Sequence, residues 1–149
     1  MGFFNGPATD LSGGAGVYIW ISDTHHLSIK LGCGRSTNTR AELLALWALL
    51  YISKEICLPH IHIFGDSSVI INWAKDNSAL SILNLEAWCV DIKLLISSFS
   101  AVEFKHVYRE HNERANTLSK EGLTMASGHL TFTDSCEGIV DGEVSVQLF

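Results

Sequence analysis

Hydrophobic and polar positions change period several times along the chain, and each change marks an element. Phe3 and Phe4 open a short apolar run that breaks at Asn5-Gly6-Pro7, and Gly13-Gly14-Ala15-Gly16 then leads into the apolar stretch 17–21. This pattern predicts a strand, a turn and a second strand. After a turn at Ser22-Asp23-Thr24, Leu27, Ile29 and Leu31 alternate with polar neighbours, as a half-buried third strand over 25–34 should. Three strands joined by short turns predict an antiparallel meander.

The period then switches. Ala41, Leu44, Ala45, Ala48, Leu49 and Ile52 recur at helical spacing, with 37–39 offering a cap ahead of them and Leu58-Pro59 closing the helix. His60 to Phe64 alternate as a strand that runs into Gly65-Asp66-Ser67-Ser68, where Asp66 or Ser67 can cap a helix over 69–75. Residues 76–84 read as turn-rich and irregular. A helix over 85–99 carries Trp88, Ile92 and Leu95 on one face, a strand covers 102–108, and a last helix over 112–121 is closed by Gly122. Residues 124–149 hold several acids and glycines with only short alternating stretches, which reads as an appendage of uncertain order. Three strands followed by helix, strand, helix, helix, strand, helix predict a mixed sheet with helices on its faces.

Length and composition narrow the class. A chain of 149 residues suits one domain core, here 1–123, with 124–149 as its tail. Apolar residues at 47% and charged residues at 17% fit a globular fold rather than a disordered segment. The longest apolar stretch, 41–52, is interrupted by Glu42 and flanked by Arg40 and Lys54, short of the roughly 20 clean residues of a membrane span. With no secretory pattern at the start, an intracellular location, nucleus or cytoplasm, is expected. Cys33, Cys57, Cys89 and Cys136 show no paired spacing and are expected to be buried free thiols. A formal charge of −6 argues against a tight polyanion binder, because nonspecific nucleic-acid affinity comes largely from Lys and Arg.

Two acids stand out. Glu42 is the odd member of an apolar helix face, placed in the first turn of the expected helix, and Asp66 ends a buried-type strand at its carboxyl end, where open α/β sheets bind ligands. Each has a plain alternative: Glu42 as an acid favoured by the helix dipole, Asp66 as a helix cap.

The segments around them match one pattern. The stretch Thr37-Asn38-Thr39-Arg40-Ala41-Glu42-Leu43-Leu44-Ala45-Leu46, the strand end Phe64-Gly65-Asp66-Ser67, and His106-Val107-Tyr108-Arg109-Glu110 followed by Asn112-Glu113-Arg114-Ala115-Asn116-Thr117-Leu118-Ser119-Lys120 resemble ribonuclease H, in particular the reverse-transcriptase-like form of plant retroelements. Phe4-Asn5-Gly6 stands where that family has F-D-G. The resemblance spans about residues 3–123 and implies the ribonuclease H-like α/β fold, a mixed five-stranded sheet of three antiparallel then parallel strands flanked by helices. It also implies an RNA/DNA-hybrid endonuclease in which four carboxylates hold two Mg²⁺ or Mn²⁺ ions for phosphodiester hydrolysis.

Position by position, Glu42 and Asp66 match the metal-binding pattern, whereas Asn5 and Asn116 stand where it has carboxylates. An asparagine keeps a carbonyl oxygen but has no charge, and its amide turns donors toward a cation. Magnesium relies on anionic oxygen ligands, so paired-metal binding and hydrolysis are expected to be impaired. The other acids nearby, Asp10 and Glu113, are badly placed to substitute. His106 stands where some ribonucleases H have a mobile proton-transferring histidine, with a packed strand histidine as the alternative. Gly6, Asn38 and Thr39 are the candidate contacts to the RNA strand by resemblance, against plain turn chemistry. No basic handle follows Lys75, so any grip on an RNA/DNA hybrid or RNA is expected to be weak and salt-sensitive. Three readings follow: an impaired nucleic-acid-binding relative of these enzymes, an active Mg²⁺-dependent hybrid ribonuclease, or a noncatalytic protein-interaction module.

Overall fold

The computed structural model describes residues 1–80 and 84–149, and within them the expected elements form in the expected order. The strands are β1 (Gly2–Asn5), β2 (Gly13–Trp20), β3 (His25–Gly34), β4 (His60–Gly65), β5 (Ala101–His106), β6 (His129–Cys136) and β7 (Ile139–Gln147). The helices are α1 (Asn38–Glu55), α2 (Ser68–Ala74), α3 (Glu86–Ser97) and α4 (Glu113–Gly122), with a short 3-10 turn at Arg109–His111. All seven strands lie in one sheet of order β5-β4-β1-β2-β3-β6-β7. β1 pairs antiparallel with β2 and β2 with β3, whereas β4 is parallel to both β1 and β5.

Helices cover both faces. Along β1, Gly2 lies against Leu49 of α1, while on the other face Gly16, opposite Asn5 in the β1–β2 ladder, lies against α4. A Cβ at Gly16 would come within 2.3 Å of the Ala115 carbonyl oxygen, so the missing side chain is what lets α4 rest on β2. α1 is apolar nearly all round because it is packed between the sheet and α3: Leu43, Leu44, Leu46, Leu49 and Leu50 are all fully buried. Burial of this kind stabilises by about 1.5–3 kcal/mol per large aliphatic side chain, which makes α1 the centre of the core.

The caps follow the sequence closely. Thr37 accepts from Arg40 N at the start of α1, and Ser67, not Asp66, accepts from Ile70 N at the start of α2. That leaves the Asp66 carboxylate outside the capping role. Because α1 begins at Asn38, Glu42 sits past the first turn, where the dipole explanation for its presence is weak.

Several expectations need correction. The sheet has seven strands rather than five, because the tail forms β6 and β7: β6 pairs antiparallel with β3 and β7 with β6. Leu130 of β6 is buried in the core beside its ladder partner Leu31. The connecting turn is the two-residue pair Glu137-Gly138, both at positive φ, the geometry that suits a tight hairpin. Glutamate is a poor residue for that conformation, and the usual Asn-Gly or Asp-Gly signal is missing. Gly122 is the last residue of α4 rather than the one after it, and Leu123 closes the helix. β5 ends at His106, so Tyr108 lies beyond the strand. The cysteines are free, but only Cys33 is fully buried; Cys57 and Cys136 are exposed. Of the irregular stretch 76–84, residues 81–83 fall outside the described residues. No described helix is long and apolar enough to cross a membrane.

Candidate functional site

β1 and β4 are parallel neighbours, so their carboxyl ends bring Asn5-Gly6 and Asp66 to the same edge of the sheet. α1 and α4 flank that edge from opposite faces and supply Glu42 and Asn116. The four positions singled out by the resemblance therefore converge.

Gly6 is the hinge of the arrangement. A Cβ there would lie 2.2 Å from the Ala41 carbonyl carbon and 2.4 Å from the Glu42 nitrogen, so only glycine lets the chain leaving β1 pass directly over α1. The same closeness lets the Gly6 N–H donate to the Glu42 carboxyl. Burial first, and then the neighbouring negative charge of Asp66, push the Glu42 carboxyl up from 4.5 to about 8, against the opposing pull of that hydrogen bond. Glu42 Oε2 is buried and has no hydrogen-bond partner among the described residues, consistent with a carboxyl that keeps its proton at neutral pH.

On the opposite side, Asn5 is buried and its Nδ2 donates to Asn116 Oδ1 at 2.9 Å and to Ser119 Oγ at 3.3 Å. Ser119 Oγ donates in turn to the Asn116 carbonyl at 2.7 Å. His106 is exposed at the end of β5, and its Nε2 donates to the Asp66 backbone carbonyl at 3.2 Å, which places the ring beside the site rather than packed in the sheet. Asn38 Oδ1 accepts from the Ala8 N–H at 2.8 Å, fastening the β1–β2 turn to the head of α1, and Thr39 is half-buried in the first turn of that helix.

Sequence reasoning missed two members. Ser119 holds both asparagines, and nothing local in Leu118-Ser119-Lys120 announces that role. Asn112, just before α4, is buried and its Nδ2 donates to the Phe4 carbonyl at 3.0 Å, tying the start of α4 to the end of β1. A surface hollow of about 470 Å³ at the head of α1 also brings Arg35, Ser36, Thr37 and Arg40 together.

As a cradle for two divalent ions the set does not fit. The Asn5 amide points its N–H groups inward at Asn116 and Ser119, and of the four positions only Glu42 and Asp66 can carry charge. Glu42 holds its carboxyl in a setting that favours the neutral form. Asp10 is exposed in the β1–β2 turn, and Glu113 lines a separate hollow with Tyr18 and Arg114, so neither supplies the missing charge. Among the described residues no group of three or more His, Cys, Asp or Glu side chains is placed to hold a metal ion.

The profile of the reverse-transcriptase-like family matches residues 4–122, a span that runs from β1 to the end of α4 and includes every residue of this site. The chain belongs to the reverse-transcriptase-like family. Solved structures agree on a ribonuclease H-like fold. Ribonuclease H1 of Halobacterium salinarum NRC-1 is 25% identical, with a TM-score of 0.70 over 84% of this chain and 97% of that one. LC11 ribonuclease H1 in complex with an RNA/DNA hybrid is 22% identical, with a TM-score of 0.74 over 82% and 94%. The N-terminal ribonuclease H domain of a Mycobacterium tuberculosis protein is 20% identical, with a TM-score of 0.73 over 82% and 92%. No curated protein sequence matches the chain.

Proposed function

We propose that this chain is a ribonuclease H-like domain related to RNA/DNA-hybrid nucleases that keeps a nucleic-acid-binding surface and has an impaired hydrolytic site. The observation that carries the reading is the Asn5–Asn116 hydrogen bond at 2.9 Å. Two carboxylates this close would repel each other unless a cation lay between them, whereas two amides satisfy one another. With both positions neutral, at most two of the four negative charges that would hold two Mg²⁺ or Mn²⁺ ions remain. Binding is supported by the hollow at the start of an 18-residue helix, lined by Arg35, Ser36, Thr37 and Arg40, although Asp10 also lines it and Arg40 Nη1 already donates to the Cys33 carbonyl, which leaves only a modest positive balance for phosphate. The overall charge of −6 keeps that binding weak and salt-sensitive.

The test is cleavage of an end-labelled RNA/DNA hybrid in Mg²⁺ or Mn²⁺ by this protein beside its Asn5→Asp, Asn116→Asp double variant. The expected result is no cleavage above background by the parent and metal-dependent cleavage by the variant. Cleavage by the parent would establish instead an active Mg²⁺-dependent ribonuclease. Absence of hybrid binding at low salt by either folded protein would favour a protein-interaction module.

A further inference from the structure

The two edges of the sheet are finished differently. β5 is six residues long, carries Glu103 and Lys105 among its exposed side chains, and has α2 packed beside it. Short length, charge and a covering helix are common protections of a sheet edge. β7 is nine residues long, ends the strand order on the other side, and holds no Pro, Lys or Arg between 139 and 147. Its outward backbone N–H and C=O groups have no neighbouring strand among the described residues.

An apolar row leads to this open edge. Leu31 and Ile29 of β3 pair with Leu130 and Phe132 of β6, and these pair in turn with Val146 and Val144 of β7, so all six side chains lie on the α1 face of the sheet. Burial falls along the row: Leu31 and Leu130 are buried, Phe132 is half-buried, and Val144 and Val146 are 56% and 45% exposed. The row stops where a further strand would continue it.

We infer that β7 pairs antiparallel with β7 of a second copy of this chain, about a two-fold axis through Ser145. An axis perpendicular to the sheet reverses the strand but keeps its faces, so both copies present their valines on the same side. Val144 of each copy then stands opposite Val146 of the other, and Glu143 stands opposite the neutral Gln147. An axis through Glu143 would set two carboxylates against each other, and one through Val144 would leave Val146 opposite Gly142. The Ser145 register also uses 143–147, where the pairing of β7 with β6 is regular. Such a pair closes at two copies, because the edges that remain are the protected β5 strands. A contact confined to these five residues a side buries less than the roughly 1,200 Å² of a stable complex, which makes the dimer weak and concentration-dependent. With a formal charge of −6 on each copy, added salt favours it. Nothing in this pairing depends on nucleic acid.

Sedimentation equilibrium of the full chain, from micromolar to several hundred micromolar and at low and high salt, tests the pairing. The parent should pass from monomer to dimer across this range, and at lower concentration in high salt. Val144→Lys, checked for folding by its melting temperature, should weaken the dimer about tenfold or more, since it removes both valine pairs and places lysine on the edge. Val90→Lys, at an exposed apolar position on α3, should leave the dimer unchanged. Register is read separately: in a Cys57→Ser, Cys136→Ser background, adding Ser145→Cys should give a dimer captured by a short bis-maleimide, and adding Ile139→Cys should give no more than the background. A parent that stays monomeric throughout, or assembles beyond two copies, refutes the pairing. So does equal weakening by Val90→Lys, no weakening by folded Val144→Lys, or equal capture at 139 and 145.

Discussion

Glu42→Gln offers a direct test of the electrostatics beneath α1. In the folded chain the Glu42 carboxyl holds its proton up to about pH 8, against 4.5 for an ordinary glutamate, chiefly because of burial and secondarily because of Asp66. A group whose folded pKa is raised contributes stability that is fully present below the unfolded pKa. That contribution is lost as pH climbs through the folded value. Between these limits the loss runs at about 1.4 kcal/mol per pH unit, reaching a ceiling of about 4–5 kcal/mol near pH 9. Glutamine keeps the size of the side chain and cannot ionise. The variant should therefore match the parent within about 1 kcal/mol near pH 5, where both side chains are neutral, and be more stable by several kcal/mol near pH 9. Urea unfolding at successive pH values measures the difference directly. A stability difference that stays constant from about pH 5 to 9 would refute the reasoning, since it would mean that Glu42 titrates alike in folded and unfolded chains. Adding millimolar Mg²⁺ sharpens the test. A cation held by Glu42 and Asp66 would keep the carboxylate ionised and flatten the parent's curve, and the amide arrangement at Asn5 and Asn116 predicts no such flattening.

Two further outcomes follow from burial. Burial pushes the Cys33 thiol up to about 12, so a thiol reagent near pH 8 should modify exposed Cys57 and Cys136 at once and reach Cys33 only when the chain unfolds; modification of Cys33 in the native Cys57→Ser, Cys136→Ser background at the unfolded rate would contradict this. Leu130→Ala should cost about 2–4 kcal/mol in urea unfolding because it opens a cavity in the shared core, whereas a loss below about 0.5 kcal/mol would mean that β6 is not seated on β3.

Much of this fold was legible because its signals are local. The apolar alternation of Leu27, Ile29 and Leu31 and the helical spacing around Leu44 and Leu49 each follow from one face meeting the core. A cap within 37–39 and one at Asp66 or Ser67 were legible, and the structure selects Thr37 and Ser67. The tail was hidden for a physical reason: β7 leaves Val140, Val144 and Val146 exposed, so it carries no clean buried face, and its turn uses Glu137 where Asn or Asp would have signalled a hairpin. At the site, residue identity exposed Asn5, Glu42, Asp66 and Asn116, because their neighbours form recognisable segments. Ser119 and Asn112 were illegible in their roles because each acts on residues more than a hundred positions away, on Asn5 and on the Phe4 carbonyl. Gly6 was ambiguous as a turn residue, and only the 2.2 Å clearance over α1 distinguishes a spatial requirement from a conformational one.

The hydrogen bond from Asn5 to Asn116 closes a loop of 111 residues. During synthesis β1 leaves the ribosome early, yet α4 emerges only after nearly the whole matched span has been made, and contacts this distant in sequence are slow to form. Until then Asn5 has neither of its side-chain partners, and the end of β1 lacks the amide of Asn112 that caps it. Solvent protection of the Asn5 side-chain amide therefore marks the docking of α4 on β1: it distinguishes a chain that has closed this site from a nascent one that holds only its meander and first helix, before β6 and β7 join the sheet.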